Sequence, residues 1–239
     1  MTIKVLPPEI AARIAAGEVV ERPASVVKEL LENALDAGGT IVTIQIVGGG
    51  LESIRVSDNG FGIDYQDAQI LFQRHATSKI QSEHDLSKII SYGFRGEALH
   101  SLSAVAETTI LTRQTTQVSG TFLQANDGKI QQISQQASRI GTTVTVNNLF
   151  SRIPARKQFL RSNKSEVSRV KSVVNHYALA YPGVQFRLII DEHISIATSG
   201  LGDLREVATS IFGPTLGNNF LILHSSDKSD CSISGLISP

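Results

Sequence analysis

Tryptophan is absent from this chain of 239 residues, and cysteine and methionine occur once each. The single cysteine, Cys231, excludes an internal disulfide and fits a reducing compartment. Its expected role is that of a small buried side chain. Net charge is missing as well, because 22 Lys and Arg balance 22 Asp and Glu. The total therefore says nothing for a nucleic-acid partner, and any such surface has to be a local patch. No apolar run approaches the roughly 20 residues that span a bilayer. Lys4, Glu9, Arg13 and Glu18 interrupt the first 20 residues and break any signal-peptide core. The expectation is a soluble, cytoplasmic protein that meets no membrane. The histidines (His75, His84, His100, His176, His193 and His224) have no ligand spacing with the cysteine, which argues against zinc.

What is present suffices for a core. The chain is 41% hydrophobic, enough for one large domain or one and a fraction. The most informative segment is a helix predicted from about Pro23 to Asp36. At about 100° per residue, Glu29, Asn33 and Asp36 fall within a roughly 60° arc, and Val26, Val27, Leu30, Leu31, Ala34 and Leu35 fill the opposite half. A carboxylate and a carboxamide one turn apart can hold a cation and a water. That is the geometry that activates water against a phosphate. Asparagine is unfavourable in mid-helix, so Asn33 asks for a reason beyond helix formation.

Helices are also predicted at residues 8–16, Asp64–Phe72, Glu97–Ala106, Pro154–Leu160 and Ser165–Ala180. Strands are predicted at Ile41–Val47, Leu51–Ser57, Thr108–Arg113, Gly120–Ala125, Lys129–Ser134, Thr142–Asn148, Phe186–Ile190 and Ile194–Thr198. Residues 73–95 lack clean periodicity and read as a long functional loop. The class is α+β, a two-layer sandwich of a mixed, mostly antiparallel sheet with helices on one face. The pattern resets near Ser199-Gly200-Leu201-Gly202. Beyond it a helix at Leu204–Phe212 and strands at Phe220–Leu223 and Ser232–Ile237 are too few for a core of their own.

Four segments carry chemistry. The first is the helix with Glu29, Asn33 and Asp36. The second is Asp58-Asn59-Gly60-Phe61-Gly62, directly after a strand. It reads either as a turn or as a carboxylate that accepts the exocyclic amine of adenine, with Gly60 and Gly62 letting the backbone pass close to a flat base. The third is Tyr92-Gly93-Phe94-Arg95-Gly96-Glu97-Ala98-Leu99, a glycine-flanked loop opening a helix. Free N–H groups at such a start bind phosphate. Upstream, Thr77, Ser78 and Lys79 add hydroxyls and a positive charge suited to phosphates. The fourth is Gly141-Thr142-Thr143, at a strand start.

In this order the four segments resemble the ATPase superfamily of gyrase, the heat-shock 90 chaperones, histidine kinases and MutL. Residues 10–33, Arg74–Ile80, Gly93–Leu99, Gly141–Phe150 and Pro154–Leu160 resemble the MutL family of DNA mismatch-repair proteins almost residue for residue. The resemblance implies a Bergerat-type ATP-binding fold over residues 1–200, with 1–20 as an N-terminal arm and 73–96 as a lid. It implies that 201–239 begin a second, ribosomal-S5-like domain, incomplete here. Glu29 would be the general base that orients the attacking water, and Asn33 would coordinate Mg²⁺. Asp58 would read adenine, with Thr143 nearby. Thr77, Ser78, Lys79 and the backbone around Gly93, Phe94, Arg95, Gly96, Glu97, Ala98 and Leu99 would hold the phosphates. ATP would order the lid and arm, and two copies would then dimerise. The implied partners are the mismatch-recognition protein MutS and DNA, and the implied place is cytoplasmic, near the nucleoid. In the resembled family a lysine of the second domain reaches the terminal phosphate from beyond a pattern like Gly235–Pro239, so it falls outside these residues.

A basic cluster stands apart. Arg152, Arg156, Lys157, Arg161, Lys164, Arg169 and Lys171 surround one acidic residue, Glu166. It reads either as a solvated helix face or as a contact to a nucleic-acid backbone, without sequence preference. Two functional readings stay open: a slow ATP-hydrolysing switch, or a non-catalytic ATP- and DNA-binding module that signals by dimerising.

Overall fold

The alternating apolar residues from Ile41 onward become strands. A computed structural model of the protein describes residues 4, 5, 7, 14–17, 19–80, 83–86, 91–93, 96–217, 219–224 and 233–237. The strands are β1 (Ile41–Val47), β2 (Ser53–Asp58), β3 (Glu107–Arg113), β4 (Gly120–Asn126), β5 (Lys129–Gln136), β6 (Gly141–Asn147), β7 (Gln185–Ile190) and β8 (His193–Ala197). They form one sheet in the order β5-β4-β3-β6-β2-β1-β7-β8. β1 and β7 run parallel, and every other neighbouring pair is antiparallel.

The register explains why one face is covered. Ile133, Leu123, Ile110, Val144, Val56, Ile44, Leu188 and Ile196 lie in one row across all eight strands. All but the half-buried Ile133, on the outermost strand, are buried. One residue along each central strand, Gln124, Thr109, Thr145, Arg55 and Gln45 point the other way and stay half or fully exposed.

Helices cover the apolar face. Pro23 opens α1 (Pro23–Asp36), which buries Val26, Val27, Leu30, Leu31 and Ala34. Each of the valine and leucine side chains contributes about 1.5–3 kcal/mol on burial. Beside it runs α6 (Asn163–Ala180), with Val170, Val174 and Ala178 buried at four-residue spacing. Between β2 and β3 come α2 (Tyr65–Ile70), whose Asp64 cap accepts the Gln66 N–H at 2.8 Å, α3 (Glu83–Leu86) and α4 (Ala98–Val105). The stretch expected as a bare loop thus holds one short helix. α5 (Pro154–Gln158) precedes α6. After the sheet come α7 (Leu204–Phe212), with Val207 and Ala208 buried, α8 (Pro214–Gly217), and a separate hairpin of β9 (Leu221–His224) and β10 (Ser234–Ile237). Of the helix expected at 8–16, residues 8–13 lie outside the described residues, and 14–17 are helical. Cys231 also lies outside them.

Candidate nucleotide site

Glu29, Asn33 and Asp36 are all half-buried, on the side of α1 opposite its buried apolar stripe. Asp36 is the last residue of the helix, and no basic residue lies in that last turn. A carboxylate at the negative end of a helix is unfavourable without a cation. Lys79 supplies one from the loop. Its ammonium donates to Asp36 Oδ2 at 2.6 Å and to Asn33 Oδ1 at 3.0 Å. The Tyr92 N–H donates to Asp36 Oδ1 at 3.1 Å, and the Gly93 N–H to Oδ2 at 3.4 Å. One carboxylate therefore gathers three residues of the expected lid.

The second part begins where β2 ends. Asp58 Oδ1 accepts the N–H groups of Gly60 at 2.8 Å and Thr142 at 3.2 Å. Among the described residues no hydrogen bond reaches its Oδ2. Burial pushes the Asp58 carboxyl up from 3.8 to about 6, against the lowering pull of those two backbone donors. The two parts meet at the end of α1, where the Ala37 carbonyl accepts the Phe61 N–H at 3.0 Å. The glycines serve the protein's own backbone first. Gly62 has φ +74°, and a Cβ there would stand 2.2 Å from the Arg113 carbonyl oxygen.

The remaining expected residues divide. Thr77 Oγ1 accepts the Lys79 N–H at 3.2 Å, while Ser78 is exposed. Gly96, with φ +62°, sits against the His75 and Ala76 backbone, where a Cβ would come within 2.6 Å of the Ala76 carbonyl oxygen. Glu97 does not cap α4 with its side chain and instead lies 3.7 Å from His75 Nδ1. Ala98 and Leu99 form the first turn of α4. Thr143 Oγ1 hydrogen-bonds Ser57 Oγ at 2.9 Å, and its neighbour Thr142 is the one that meets Asp58. Phe94 and Arg95 lie outside the described residues.

Residues 21–153, more than half of the chain, match the family described as "Histidine kinase-, DNA gyrase B-, and HSP90-like ATPase". The chain belongs to this ATPase family. Within it the chain is similar to the DNA mismatch repair protein MutL of Streptococcus thermophilus, 44% identical over 98% of this chain and 36% of the relative. MutL of Streptococcus mutans serotype c is equally similar, at 44% over the same shares. The chain thus spans about a third of the length of the curated relatives it matches. Among solved structures, the Aquifex aeolicus MutL ATPase domain complexed with ADP superposes with a TM-score of 0.69 and 29% identity, over 87% of this chain and 73% of that one. A structure described as the N-terminal domain of a DNA repair protein superposes with a TM-score of 0.77 and 29% identity, over 90% of this chain and 64% of that one. The eight-stranded mixed sheet is this ATPase family's fold.

Several contacts that brace these segments come from the structure. Asn59 Oδ1 accepts the N–H groups of Thr40 and Ile41, both at 2.8 Å, and so ties the end of β2 to the start of β1. Thr112 Oγ1 accepts the Ile63 N–H at 2.9 Å and pairs with Thr142 Oγ1 at 2.9 Å. Tyr92 packs edge-on against Tyr177 at 5.8 Å and Tyr181 at 6.2 Å, and its hydroxyl pairs with that of Tyr181. The Tyr177 hydroxyl donates to the buried Glu32, which also pairs with Lys28 at 3.0 Å. Of these, only the turn at Asn59 is visible in the sequence. The tyrosines meet although they stand 85 or more positions apart, which no local pattern reports.

The basic cluster divides in the same way. Glu166 is fully buried and pairs with Arg22 at 3.5 Å, so it joins α6 to the start of α1 and does not dilute the surface charge. Arg152 pairs with Asp127 at 2.7 Å, and Arg156 donates to the Gly17 carbonyl. Lys157, Arg161, Lys164, Arg169 and Lys171 are exposed, as is Phe159, at 82%. Among the described residues no helix is long and apolar enough to cross a membrane.

Proposed function

We propose that this chain binds ATP and hydrolyses it slowly, as the ATPase portion of a DNA mismatch-repair switch. The observation that carries this reading is the meeting of two unlike recognition elements at the C-terminal end of α1. On one side Asn33 and Asp36 hold a cation, the Lys79 ammonium. On the other, Asp58 keeps a backbone-anchored carboxylate.

Asp58 Oδ2 accepts the amine of adenine. Guanine presents an acceptor there, and the unmatched pair of acceptors rejects it. Lys79, Thr77, Ser78 and the backbone from Gly93 to Leu99 hold the phosphates. Glu29 orients the attacking water and takes its proton. A carboxamide oxygen and a carboxylate oxygen that already accommodate a positive charge are a hard-oxygen donor set, which suits Mg²⁺. Asn33 would hold that ion, which when bound neutralises developing charge on the phosphates. Residues 73–96 act as a lid and 1–20 as an arm, both ordered by nucleotide, and two copies then dimerise. Residues 201–239 begin a second domain. Lys157, Arg161 and Lys164 touch the DNA backbone, and MutS is the mismatch-recognising partner.

Glu29→Ala tests the catalytic assignment. Hydrolysis should fall by about a hundredfold or more, while ATP affinity changes by less than about threefold. Turnover is read by phosphate release and affinity by calorimetry. Equal loss of both assigns Glu29 to the fold. Turnover unchanged by the substitution moves the water-orienting role to another residue, and no turnover in the wild type assigns the chain to the non-catalytic module.

A further inference from the structure

We infer that Lys79 and Asp36 form an exchangeable latch: the Lys79 ammonium occupies the cation place of the nucleotide-free protein and has to leave when a divalent ion arrives. This rests on the ATP reading above and adds a control step to the same site.

Three observations carry it. First, Asp36 closes a helix whose last turn has no basic residue, so the place calls for a cation on electrostatic grounds alone. Secondly, the ammonium sits 2.6 Å from Asp36 and 3.0 Å from Asn33, with both side chains of the ion pair largely withdrawn from solvent, at 22% and 13% exposure. A second cation within a few ångström would meet strong repulsion in such a setting. Thirdly, the carboxylate that holds Lys79 also holds the N–H groups of Tyr92 and Gly93. Residues on both sides of the 80–91 stretch are thereby pinned to one side chain.

The two states follow from charge. Without nucleotide, Lys79 neutralises Asp36 and residues 79, 92 and 93 lie fastened to α1. With a divalent ion brought by nucleotide, the ammonium leaves Asn33 and Asp36 and finds a phosphate as its new counter-ion. The lysine thus serves twice, as a plug before binding and as a phosphate ligand after it. A plug of this kind gives metal binding a strong dependence on nucleotide, because the displaced ammonium needs an anion to go to.

The test uses metal without nucleotide. Mn²⁺ stands in for Mg²⁺, and its binding is read by water-proton relaxation. Lys79→Met should bind Mn²⁺ at least about tenfold more tightly than the wild type, and Lys79→Arg, which keeps the charge, should not. Equal Mn²⁺ affinity in the wild type and Lys79→Met overturns the plug. Asp36→Asn provides an independent readout, since the Tyr92 and Gly93 amide hydrogens should exchange at least about tenfold faster by NMR. Unchanged exchange overturns the anchor. Calorimetry with ATP separates the two levels. If ATP binds but Lys79→Met gains no metal, the latch alone falls. If the metal gain appears and no ATP binds, the ATP reading falls and takes nucleotide-driven release with it, leaving only the Lys79 plug.

Discussion

At the end of β2, Asp58 is held by main-chain donors from Gly60, in the turn that follows the strand, and from Thr142, in β6. At the end of α1, Asp36 is held by a side-chain ammonium and by two N–H groups from a loop. The first arrangement survives any movement that leaves the strands paired. The second lasts only while Lys79 lacks a better anion. On the proposed reading, base recognition is built into the framework, and phosphate recognition into a charge pair that can be exchanged.

The largest expected effect tests the framework half. Asp58→Asn keeps an oxygen for the two backbone donors but offers adenine an amide group in place of a carboxylate. ATP affinity should fall by about a hundredfold or more by calorimetry. Stability at neutral pH should rise, by up to about 2 kcal/mol in urea unfolding, because the desolvated charge is gone. Retained ATP affinity would break the comparison at its fixed end.

Acid gives the next effect. The folded-state carboxyl of Asp58 lies at about 6, above its ordinary 3.8. Between those values the folded chain holds the proton more tightly than the unfolded chain, so this group's contribution to stability falls as pH rises through the window. Nucleotide binding runs the opposite way, since the amine of adenine needs the ionised acceptor. ATP affinity should drop by up to about tenfold per pH unit below about 6, and in Asp58→Asn the slope should vanish.

The smallest effect concerns the exposed charges, which belong to neither end. Removing Lys157, Arg161 and Lys164 together should lower the salt dependence of DNA binding by about two to three in log–log slope. Replacing Arg152 or Arg156, which already have protein partners, should cost stability instead. A DNA affinity that is flat with salt would remove this surface from the functional account.

The framework was legible in the sequence because its signals are local. Alternation located all eight strands of the large sheet, and the apolar stripe of α1 located the helix face that carries Glu29, Asn33 and Asp36. The exchangeable half was legible as residue types but not as contacts. Thr77-Ser78-Lys79 suggested phosphates, yet nothing in the sequence joins Lys79 to Asp36, 43 positions away. The parallel pairing of β1 with β7 and the burial of Glu166 against Arg22 were hidden for the same reason. Partners 144 positions apart leave no periodic trace. Glu166 looked like the one acidic break in a basic surface, and its burial takes it out of that surface altogether.

The pairing of β1 with β7 also has a bearing on how the protein is made. Ile41–Ile46 align with Gln185–Ile190, so an interior strand of the sheet waits for a neighbour that leaves the ribosome far later. Until then the side of β1 that β7 will cover has no backbone partner. Synthesis therefore passes through a long interval in which the first hairpin is present and the sheet remains unclosed. Its completion is set by the arrival of the last two strands more than by the speed of any local step.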